Sequence, residues 1–496
     1  MRKSAIFLFV ALGFLVAGAN AQPTNRVKKQ SPEKPVRPAA KKYPSLLWEI
    51  TGNGLKQPSY LFGTMHVSDK LAFHLGDSFY NAIKSVNVVA LETNPDQWQE
   101  DFSHSVFYRN ANRRQDMAGG LGSRSDVPGD FMQITTFAID SYEEKIKAAL
   151  AVEPSMINGM LYRNYNEQQG DFEEDTFLDM YIFQVGKKLG KRLCGVEDFK
   201  ESEKLVMEAY RDMMRDQNKK RRSYDYESMM TNPKKVEDAY RKGDLDLLDS
   251  LESITVFSEA FQEKFLFKRN EIQANSIDTI MKKQSLFVGV GAAHLPGSRG
   301  VIEMLREKGY TLRPVQMDDR NSLQKETIEK IKPEKTFTQQ SSDDGFFKVA
   351  IPGDKFYRFT DWQGMDVVQY ADMVNGAYYM VTRIKTNSLF WGHSSDMVYK
   401  KIDSLLYENV PGKILKRSVI TKNGYKGFDF TNRTRRGDYQ RYQIFVTPFE
   451  IVVFKMSGTG EFINTANTAQ QFFGSIALKE YPTYMEIGRA TCRERV

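Results

Sequence analysis

The stretch Leu286-Phe-Val-Gly-Val-Gly-Ala-Ala-His294 decides the fold class of the first half of the chain. Its first five residues are almost entirely apolar, as in a strand that is buried on both faces of a sheet. A glycine and a histidine follow. The same order occurs in Ser59-Tyr-Leu-Phe-Gly-Thr-Met-His66. We interpret each copy as a buried strand, a glycine turn and a histidine, with the two strands parallel in one sheet.

Short apolar runs alternate with helical stretches around these two segments. The alternation predicts an α/β domain at residues 45–318, with a mainly parallel or mixed sheet. Residues 201–250 are rich in Glu, Lys, Arg and Met, which predicts a helical insertion that is largely exposed. The predicted strands are Leu46–Ile50, Ser59–Phe62, Val86–Leu91, Arg192–Val196, Leu286–Val290 and Thr311–Val315. The predicted helices are Asp77–Lys84, Phe177–Leu189 and Val301–Lys308.

The second half of the chain has a different texture. Residues 319–342 are polar and predict a linker, and residues 343–485 are rich in short β-type runs. Asn375-Gly376 and Asn423-Gly424 each separate two such runs, which is a strong hairpin signal. Asp396–Tyr407 has the apolar spacing of one amphipathic helix. The pattern predicts a second, α+β domain with an antiparallel sheet.

Both ends of the chain differ in composition from a folded domain. Residues 1–21 combine a charged start, the apolar run Ala5–Val16 and small residues before position 22, which is typical of a signal peptide. We therefore expect an exported protein, periplasmic or secreted, with no transmembrane segment after cleavage. Residues 22–44 are rich in Pro and Lys and predict an extended basic linker. Residues 486–496 lack apolar periodicity, and we interpret them as a non-native tail.

The distribution of charge argues against a nucleic-acid partner. The 496 residues carry a net charge of +7, and 41% of them are hydrophobic, enough for sizeable cores. Residues 1–44 account for +8 and residues 486–496 for +1, so residues 45–485 sum to −2. A folded region close to neutral has no overall basic surface for phosphate backbones.

Two acidic residues follow apolar strands much as the two histidines do. Glu92 and Glu197 each come directly after a predicted strand. Because the carboxyl ends of parallel strands meet at one edge of a sheet, we expect these carboxylates to lie near His66 and His294. Imidazole and carboxylate together suit Zn²⁺, Mn²⁺ or Co²⁺, and a partly open site keeps a water molecule to activate. The pattern predicts a divalent metal site.

Each piece also has a simpler interpretation. A histidine after a strand is often a hydrogen-bonded structural residue, and a glutamate there often caps the next helix. The chain has five histidines, and His74, His104 and His393 lack the context of a strand and a glycine.

Residues 46–316 resemble the TraB/GumN family, which includes the Tiki-type metalloproteases. The segments that carry the resemblance are Tyr60-Leu-Phe-Gly-Thr-Met-His-Val67, Val88-Val-Ala-Leu-Glu-Thr93, Leu178-Asp179, Gly190-Lys-Arg-Leu-Cys-Gly-Val-Glu197, Arg269-Asn270, Phe287-Val-Gly-Val-Gly-Ala-Ala-His-Leu-Pro-Gly297 and Gly309-Tyr-Thr311. In Tiki-type members, the two histidines and the glutamate after the second of these strands are implicated in metal-dependent peptide hydrolysis. The resemblance therefore implies that His66, His294 and Glu92 are functional residues.

The C-terminal half resembles, less specifically, the PsbP/Mog1-like α/β sandwich. The similarity rests on Phe346-Phe-Lys-Val-Ala-Ile-Pro-Gly353 and Phe472-Phe-Gly-Ser475. This half contains no cluster of His, Cys or carboxylates with a catalytic pattern, so we expect a binding or docking module.

Two functional hypotheses follow. The first is an exported metal-dependent hydrolase that acts on a peptide or protein substrate, with His66 and His294 as ligands and Glu92 as ligand or general base. Arg269 would then stabilise an oxyanion or orient a carboxylate. Glu197, together with Gly63, Asn270 and Gly291, would belong to the surroundings of the site. The second is a non-catalytic exported protein that binds a small ligand, haem among the options, or a peptide in the same cleft.

Overall fold

The computed structural model describes a large part of the chain. The described residues are 41–65, 75–105, 139–151, 160–161, 178–217, 235–254, 258–317, 323–331, 333, 335–358, 365–386, 394–435, 437–458, 463 and 467–480. They form two compact units. One contains the described residues up to 95 and those from 178 to 331, and the other contains those from 96 to 161 and from 333 to 480. Residues 96–161 lie within the range that the sequence assigns to the first domain.

The strands and helices follow the apolar patterns of the sequence. The strands are β1 (Leu47–Gly52), β2 (Ser59–Thr64), β3 (Val88–Leu91), β4 (Arg192–Gly195), β5 (Leu286–Gly291), β6 (Tyr310–Val315), β7 (Thr338–Ser341), β8 (Phe347–Ile351), β9 (Asp366–Asp372), β10 (Ala377–Lys385), β11 (Lys413–Lys422), β12 (Tyr425–Arg433), β13 (Tyr439–Val446), β14 (Glu450–Gly458) and β15 (Ala477–Leu478). The helices are α1 (Asp77–Ser85), α2 (Trp98–His104), α3 (Ile139–Ala151), α4 (Leu178–Lys188), α5 (Phe199–Gln217), α6 (235–241), α7 (Leu245–Ile254), α8 (Glu259–Gln262), α9 (Lys268–Met281), α10 (Val301–Glu307), α11 (Leu323–Glu329), α12 (Ser395–Asn409) and α13 (Asn467–Gly474).

The first unit is built on a mixed six-stranded sheet. Its strand order is β4-β3-β5-β2-β1-β6, in which β4, β3, β5 and β2 are parallel and β1 pairs antiparallel with both of its neighbours. All four residues of β3 are buried, as expected for a strand with helices on both faces. The predicted mainly parallel or mixed sheet is confirmed, and its four parallel strands end at one edge.

The helical insertion is more buried than its composition predicts. Helices α5, α6 and α7 confirm that the described part of residues 201–250 is helical. However, the insertion is part of the first unit, and three of its side chains are buried there: Ala239, Tyr240 and Leu245. The expectation of a largely exposed insertion is therefore wrong for these residues. The basic run Lys219–Arg222 lies outside the described residues.

The second unit contains two antiparallel sheets. The larger has the strand order β11-β12-β13-β14-β10-β9, and the smaller has β15-β8-β7. One face of the larger sheet packs against an aromatic core that includes Phe347, Phe454 and Phe472. The predicted α+β domain with an antiparallel sheet is confirmed. The turn at Asn423-Gly424 has the two residues that the sequence predicts, whereas four residues separate β9 from β10 around Asn375-Gly376.

The segment predicted as a linker contains a helix and a strand. Residues 319–342 contain helix α11 and strand β7. Ile328 is buried on α11, and β7 pairs with β8 in the smaller sheet. Polar composition hid both elements, because β7 is a mostly exposed edge strand with little apolar material. Among the described residues, no helix combines the length and the apolar character that crossing a membrane requires.

Candidate functional site at the carboxyl edge of the mixed sheet

Two glutamates lie side by side where β3 and β4 end. Glu92 follows β3 directly, and Glu197 comes two residues after the last residue of β4. The backbone N–H of Glu197 donates to the carbonyl oxygen of Glu92 over 2.7 Å, so the pairing of the two chains continues beyond the strands. Strand pairing itself thus brings the two carboxylates to one edge, as the sequence predicts for parallel strands.

Arg269 of helix α9 lies between the two carboxylates. Its Nη2 donates to Oε2 of Glu92 over 2.6 Å, and its Nε donates to Oε2 of Glu197 over 2.9 Å. Burial lowers the pKa of Arg269, but the charges of the two carboxylates outweigh burial and the pKa is raised above its ordinary value. Arg269 is therefore a permanent cation that bridges both glutamates.

Glu197 is enclosed by donors. Gln273 Nε2 donates to Oε1 over 2.5 Å, and Ser202 Oγ donates to Oε2 together with Arg269. Burial raises the pKa of Glu197, the negative charge of Glu92 adds to this, and Arg269 opposes it. Because both oxygens of Glu197 accept hydrogen bonds from the chain, its part in the site is to hold Arg269 in place. The sequence analysis missed Gln273 and Ser202; the only signal was the position of Gln273 one helical turn after Arg269.

The ring orientation of His294 is set by Asn270. Asn270 Nδ2 donates to the carbonyl of Arg299 over 2.8 Å, which fixes the amide so that Oδ1 faces His294 Nδ1 at 2.6 Å. An amide oxygen only accepts, so Nδ1 carries a proton and, in the neutral ring, the lone pair is on Nε2. This Nε2 lies 3.6 Å from Oε1 of Glu92. The buried imidazole and the carboxylate therefore face each other across a short gap.

The two glycines of the repeated motif permit close packing. Gly63 is part of β2 and Gly291 is the last residue of β5. The Gly291 N–H donates to Glu92 Oε1 over 2.8 Å, and a Cβ at Gly291 would lie 3.1 Å from that oxygen. A Cβ at Gly63 would lie 3.2 Å from Ala292. The predicted turn is therefore wrong at Gly63, which lies within β2, whereas Gly291 ends β5 and a single helical turn, Ala292–His294, begins directly after it.

The strand that leads to His66 is held by a residue of the helical insertion. Tyr240 of α6 is buried, and its hydroxyl donates to the carbonyl oxygen of Gly63 over 3.0 Å. Thr64 lies beside Gly291 in the parallel register of β2 and β5. The last residue of β2 therefore lies at the edge of the sheet that carries Glu92 and His294. Tyr240 gave no recognisable signal in the sequence.

The structure brings most of the predicted site residues together. They are Glu92, Glu197, Arg269, Asn270, Gly291 and His294, with Gly63 on the neighbouring strand. His66, His74 and His393 lie outside the described residues. His104 belongs to the second unit, where it is exposed at the end of α2. Within the described ranges, no group of three or more His, Cys, Asp or Glu side chains has the arrangement of a metal site.

His294 and Glu92 carry donor atoms of the types that bind a divalent ion. In the neutral ring, the Nε2 lone pair of His294 faces Glu92 Oε1 at 3.6 Å, an oxygen that also accepts the Gly291 N–H. A histidine that donates its other ring N–H to a fixed oxygen is the usual second-shell arrangement of a metal ligand. His294 and Glu92 would be two of the ligands, and the resemblance named His66 as a third.

The fold and this cluster define an α/β protein with a His–Glu–Arg site at the carboxyl edge of a mixed sheet. The chain belongs to the TraB/PrgY/gumN family, whose model matches residues 46–314, more than half of the 496 residues. No curated protein matches the chain.

Solved structures match only part of the chain. A Pseudomonas aeruginosa protein of unknown function, described as a putative regulator, is 17% identical and covers 30% of this chain and 99% of its own, with a TM-score of 0.20. Cyanobacterial PsbP from Synechocystis is 9% identical, covering 30% and 95%, with a TM-score of 0.20. A Bacteroides thetaiotaomicron protein is 14% identical, covering 31% and 56%, with a TM-score of 0.18.

Proposed function

We propose that the protein is a metal-dependent hydrolase of peptidase type, in which His294 and Glu92 hold the metal ion together with His66. The observation that supports the proposal most directly is the geometry of His294. Its Nδ1 donates a proton to Asn270 Oδ1, and its Nε2 faces Glu92 Oε1 at 3.6 Å inside a buried, charged cluster. Imidazole and carboxylate donors suit Mn²⁺, Co²⁺ or Zn²⁺.

The chain's own residues prepare this site. Asn270 fixes the imidazole ring, and the Gly291 N–H holds one oxygen of Glu92 while Arg269 holds the other. Glu92 is therefore kept in one orientation beside His294, and we assign it the role of ligand. A divalent ion bound there would supply electrophilic catalysis and activation of water at neutral pH. Arg269, fixed by Glu197, would add positive charge next to the place where a substrate carbonyl oxygen becomes negative.

Metal content tests the proposal. After loading with Mn²⁺, Co²⁺ or Zn²⁺ and dialysis, we expect about one ion per wild-type chain by elemental mass spectrometry. His294→Ala and His66→Ala each remove one of few ligands, so their metal affinity should fall by orders of magnitude. Glu92→Gln should lose metal and hydrolysis of a peptide library together, because a neutral amide is a poorer ligand than a carboxylate.

His104→Ala is the matched control, since its ring is exposed in the second unit. It should keep both metal and activity. Wild-type metal binding by both His294→Ala and His66→Ala would refute the metal site. If Glu92→Gln keeps the metal while turnover falls by ~10²–10⁴, Glu92 is the general base and not a ligand.

A second candidate is a non-catalytic protein that binds a small ligand or peptide in the same cleft. The observation in its favour is that both oxygens of Glu92 already accept hydrogen bonds, from Arg269 and from Gly291. A carboxylate paired in this way needs no metal ion to balance its charge. Wild-type protein that holds no ion under metal-replete conditions would favour this candidate.

We also propose that the protein is exported. The charged start, the apolar run Ala5–Val16 and the small residues before Gln22 support cleavage after Ala21. Mass spectrometry of the periplasmic or secreted protein should find Gln22 as the first residue. An intact Met1 in the membrane fraction would count against export by cleavage.

A further inference from the structure

The two edges of the larger sheet in the second unit differ in the hydrogen bonding of their outward-facing backbone groups. On the outer edge of β9, Gln369 exchanges backbone hydrogen bonds with Tyr357, and the side-chain amide of Gln99 bonds both the N–H and the C=O of Ala371. On the opposite edge, β11 pairs with β12, and no other strand of the described chain pairs with it. Edge strands are normally protected by being short, covered, bulged or lined with lysines, and β11 has a bulge and three lysines but no covering strand among the described residues. With ten residues, β11 is long.

The turn into β12 shows which backbone groups of β11 point outward. Asn423 and Gly424 have positive φ of 47° and 80°, as in the two-residue turn that closes a hairpin on a hydrogen-bonded pair. That pair is Lys422 with Tyr425. Since hydrogen-bonded and non-hydrogen-bonded pairs alternate, Arg417, Val419 and Thr421 direct their N–H and C=O groups away from β12. These three alternate residues present a row of backbone N–H and C=O groups to which an added strand can form hydrogen bonds.

The side chains of this edge are basic and partly apolar. The hairpin formed by β11 and β12 contains six Lys and Arg residues and one acidic residue, Asp429, which is paired with Arg441. Two of the cations are also paired, Arg417 with Asp403 and Lys426 with Asp396 of α12. Lys416 and Lys422 lie on one side of β11, and Val419 on the other side is 62% exposed. Leu415, beside the bulge at the start of the strand, is 50% exposed. Lysines and two exposed apolar side chains therefore lie along an edge that no other described strand pairs with.

We propose that β11 is a docking edge for an acidic, extended peptide segment of a partner protein, which adds to the sheet as a further antiparallel strand. Main-chain hydrogen bonds to Arg417, Val419 and Thr421 give the affinity, and alternate side chains give the preference. Acidic side chains of the peptide lie beside Lys416 and Lys422, and its apolar side chains lie beside Val419. A second copy of β11 is a poor occupant, because like charges would then face each other across the new pair.

The probe for the test is a fluorescent heptapeptide of alternating Glu and Val, titrated with the full chain and followed by anisotropy at low ionic strength. We expect saturable binding that weakens as salt is added, because Lys416 is exposed and its attraction to the peptide is screened by ions. The same peptide with N-methyl groups on alternate residues keeps the charges but cannot pair with the edge, so it should not bind. A Lys-Val peptide should not bind either.

Two variants locate the site. Val419→Pro removes the central outward N–H without touching the ladder to β12, and it should weaken binding at least tenfold. Lys416→Glu with Lys422→Glu keeps the backbone, reverses the two cations beside the peptide and should weaken binding at least as much. The control is Lys348→Glu with Lys400→Glu, which makes the same change of charge at two exposed lysines elsewhere in the second unit and should bind as wild type.

Several results would overturn the proposal. The N-methylated peptide could bind as tightly as the parent peptide. Folded Val419→Pro could bind the parent peptide with wild-type affinity. The Glu-Val peptide could fail to bind the wild-type chain at all. Binding of phosphatidylglycerol vesicles that Val419→Pro leaves unchanged, in the absence of peptide binding, would identify the edge as a plain basic surface. None of these outcomes depends on the metal site.

Discussion

An arginine bridges two carboxylates in each unit of the protein, and the two bridges differ in one respect. In the first unit, Arg269 uses two different nitrogens for Glu92 and Glu197. In the second unit, Arg383 gives Nε and Nη2 to the two oxygens of Glu450, at 2.7 and 2.6 Å, and Nη2 also reaches Asp344 at 2.7 Å. Glu450 is therefore paired through both oxygens with one guanidinium.

The difference separates a structural pair from a candidate reactive site. Glu450 is saturated by a bidentate partner, as in ion pairs that fix a geometry. Glu92 gives only one oxygen to Arg269, and its other oxygen accepts the Gly291 N–H and faces the imidazole of His294. Both networks contain buried charge, so burial and charge alone do not mark a site. The marker is an oxygen turned toward a histidine whose tautomer is fixed.

The largest expected effect comes from removing each arginine. Arg269→Ala and Arg383→Ala each leave a buried carboxylate without its cation, and each should lower the free energy of unfolding by ~3–5 kcal/mol. Only Arg269→Ala should also abolish peptide hydrolysis, since it releases Glu92 from its fixed orientation. The measurements are denaturant unfolding and turnover below the unfolding transition. Loss of activity in folded Arg383→Ala would erase the distinction between the two networks.

A smaller effect is expected at the residue that orients the histidine. Asn270→Ala removes the acceptor of the Nδ1 proton, and second-shell changes of this kind lower metal affinity by about 10–100-fold. Asn275→Ala is the matched control, because Asn275 lies on the same helix and is exposed. Titration with Co²⁺ or Mn²⁺ measures both. Equal affinity of Asn270→Ala and wild type would show that the ring needs no orienting partner.

The sequence predicted the parts of the fold that depend on apolar periodicity. The parallel strands of the mixed sheet and the placement of Glu92 and Glu197 at strand ends could be derived in this way, because buried parallel strands are continuous apolar runs. The family resemblance added Arg269 and Asn270. Gln273 and Ser202 were missed, since a polar residue on a helix is normally predicted to be exposed, whereas α9 buries Arg269, Asn270 and Gln273 around Glu197 and His294.

The other errors have related physical causes. Gly63 and Gly291 were predicted as turn residues. A strand also needs glycine where atoms of a neighbouring segment lie so close that a Cβ would have no room. Tyr240 was predicted on an exposed helix because its neighbours are charged. In the structure it is buried, and its hydroxyl donates to the carbonyl oxygen of Gly63. Such tertiary contacts between distant residues leave no periodic pattern in one sequence.

The most direct test of the metal site is anomalous diffraction from crystals loaded with Mn²⁺, Co²⁺ or Zn²⁺, recorded on both sides of the metal's absorption edge. We predict one strong peak within about 2.0–2.3 Å of both His294 Nε2 and an oxygen of Glu92, the usual ligand distances. The peak should be absent in crystals of His294→Ala grown in the same way. A peak elsewhere on the molecule, or none beside a His294 that remains hydrogen-bonded to Asn270, would contradict the assignment of this cluster as a metal centre.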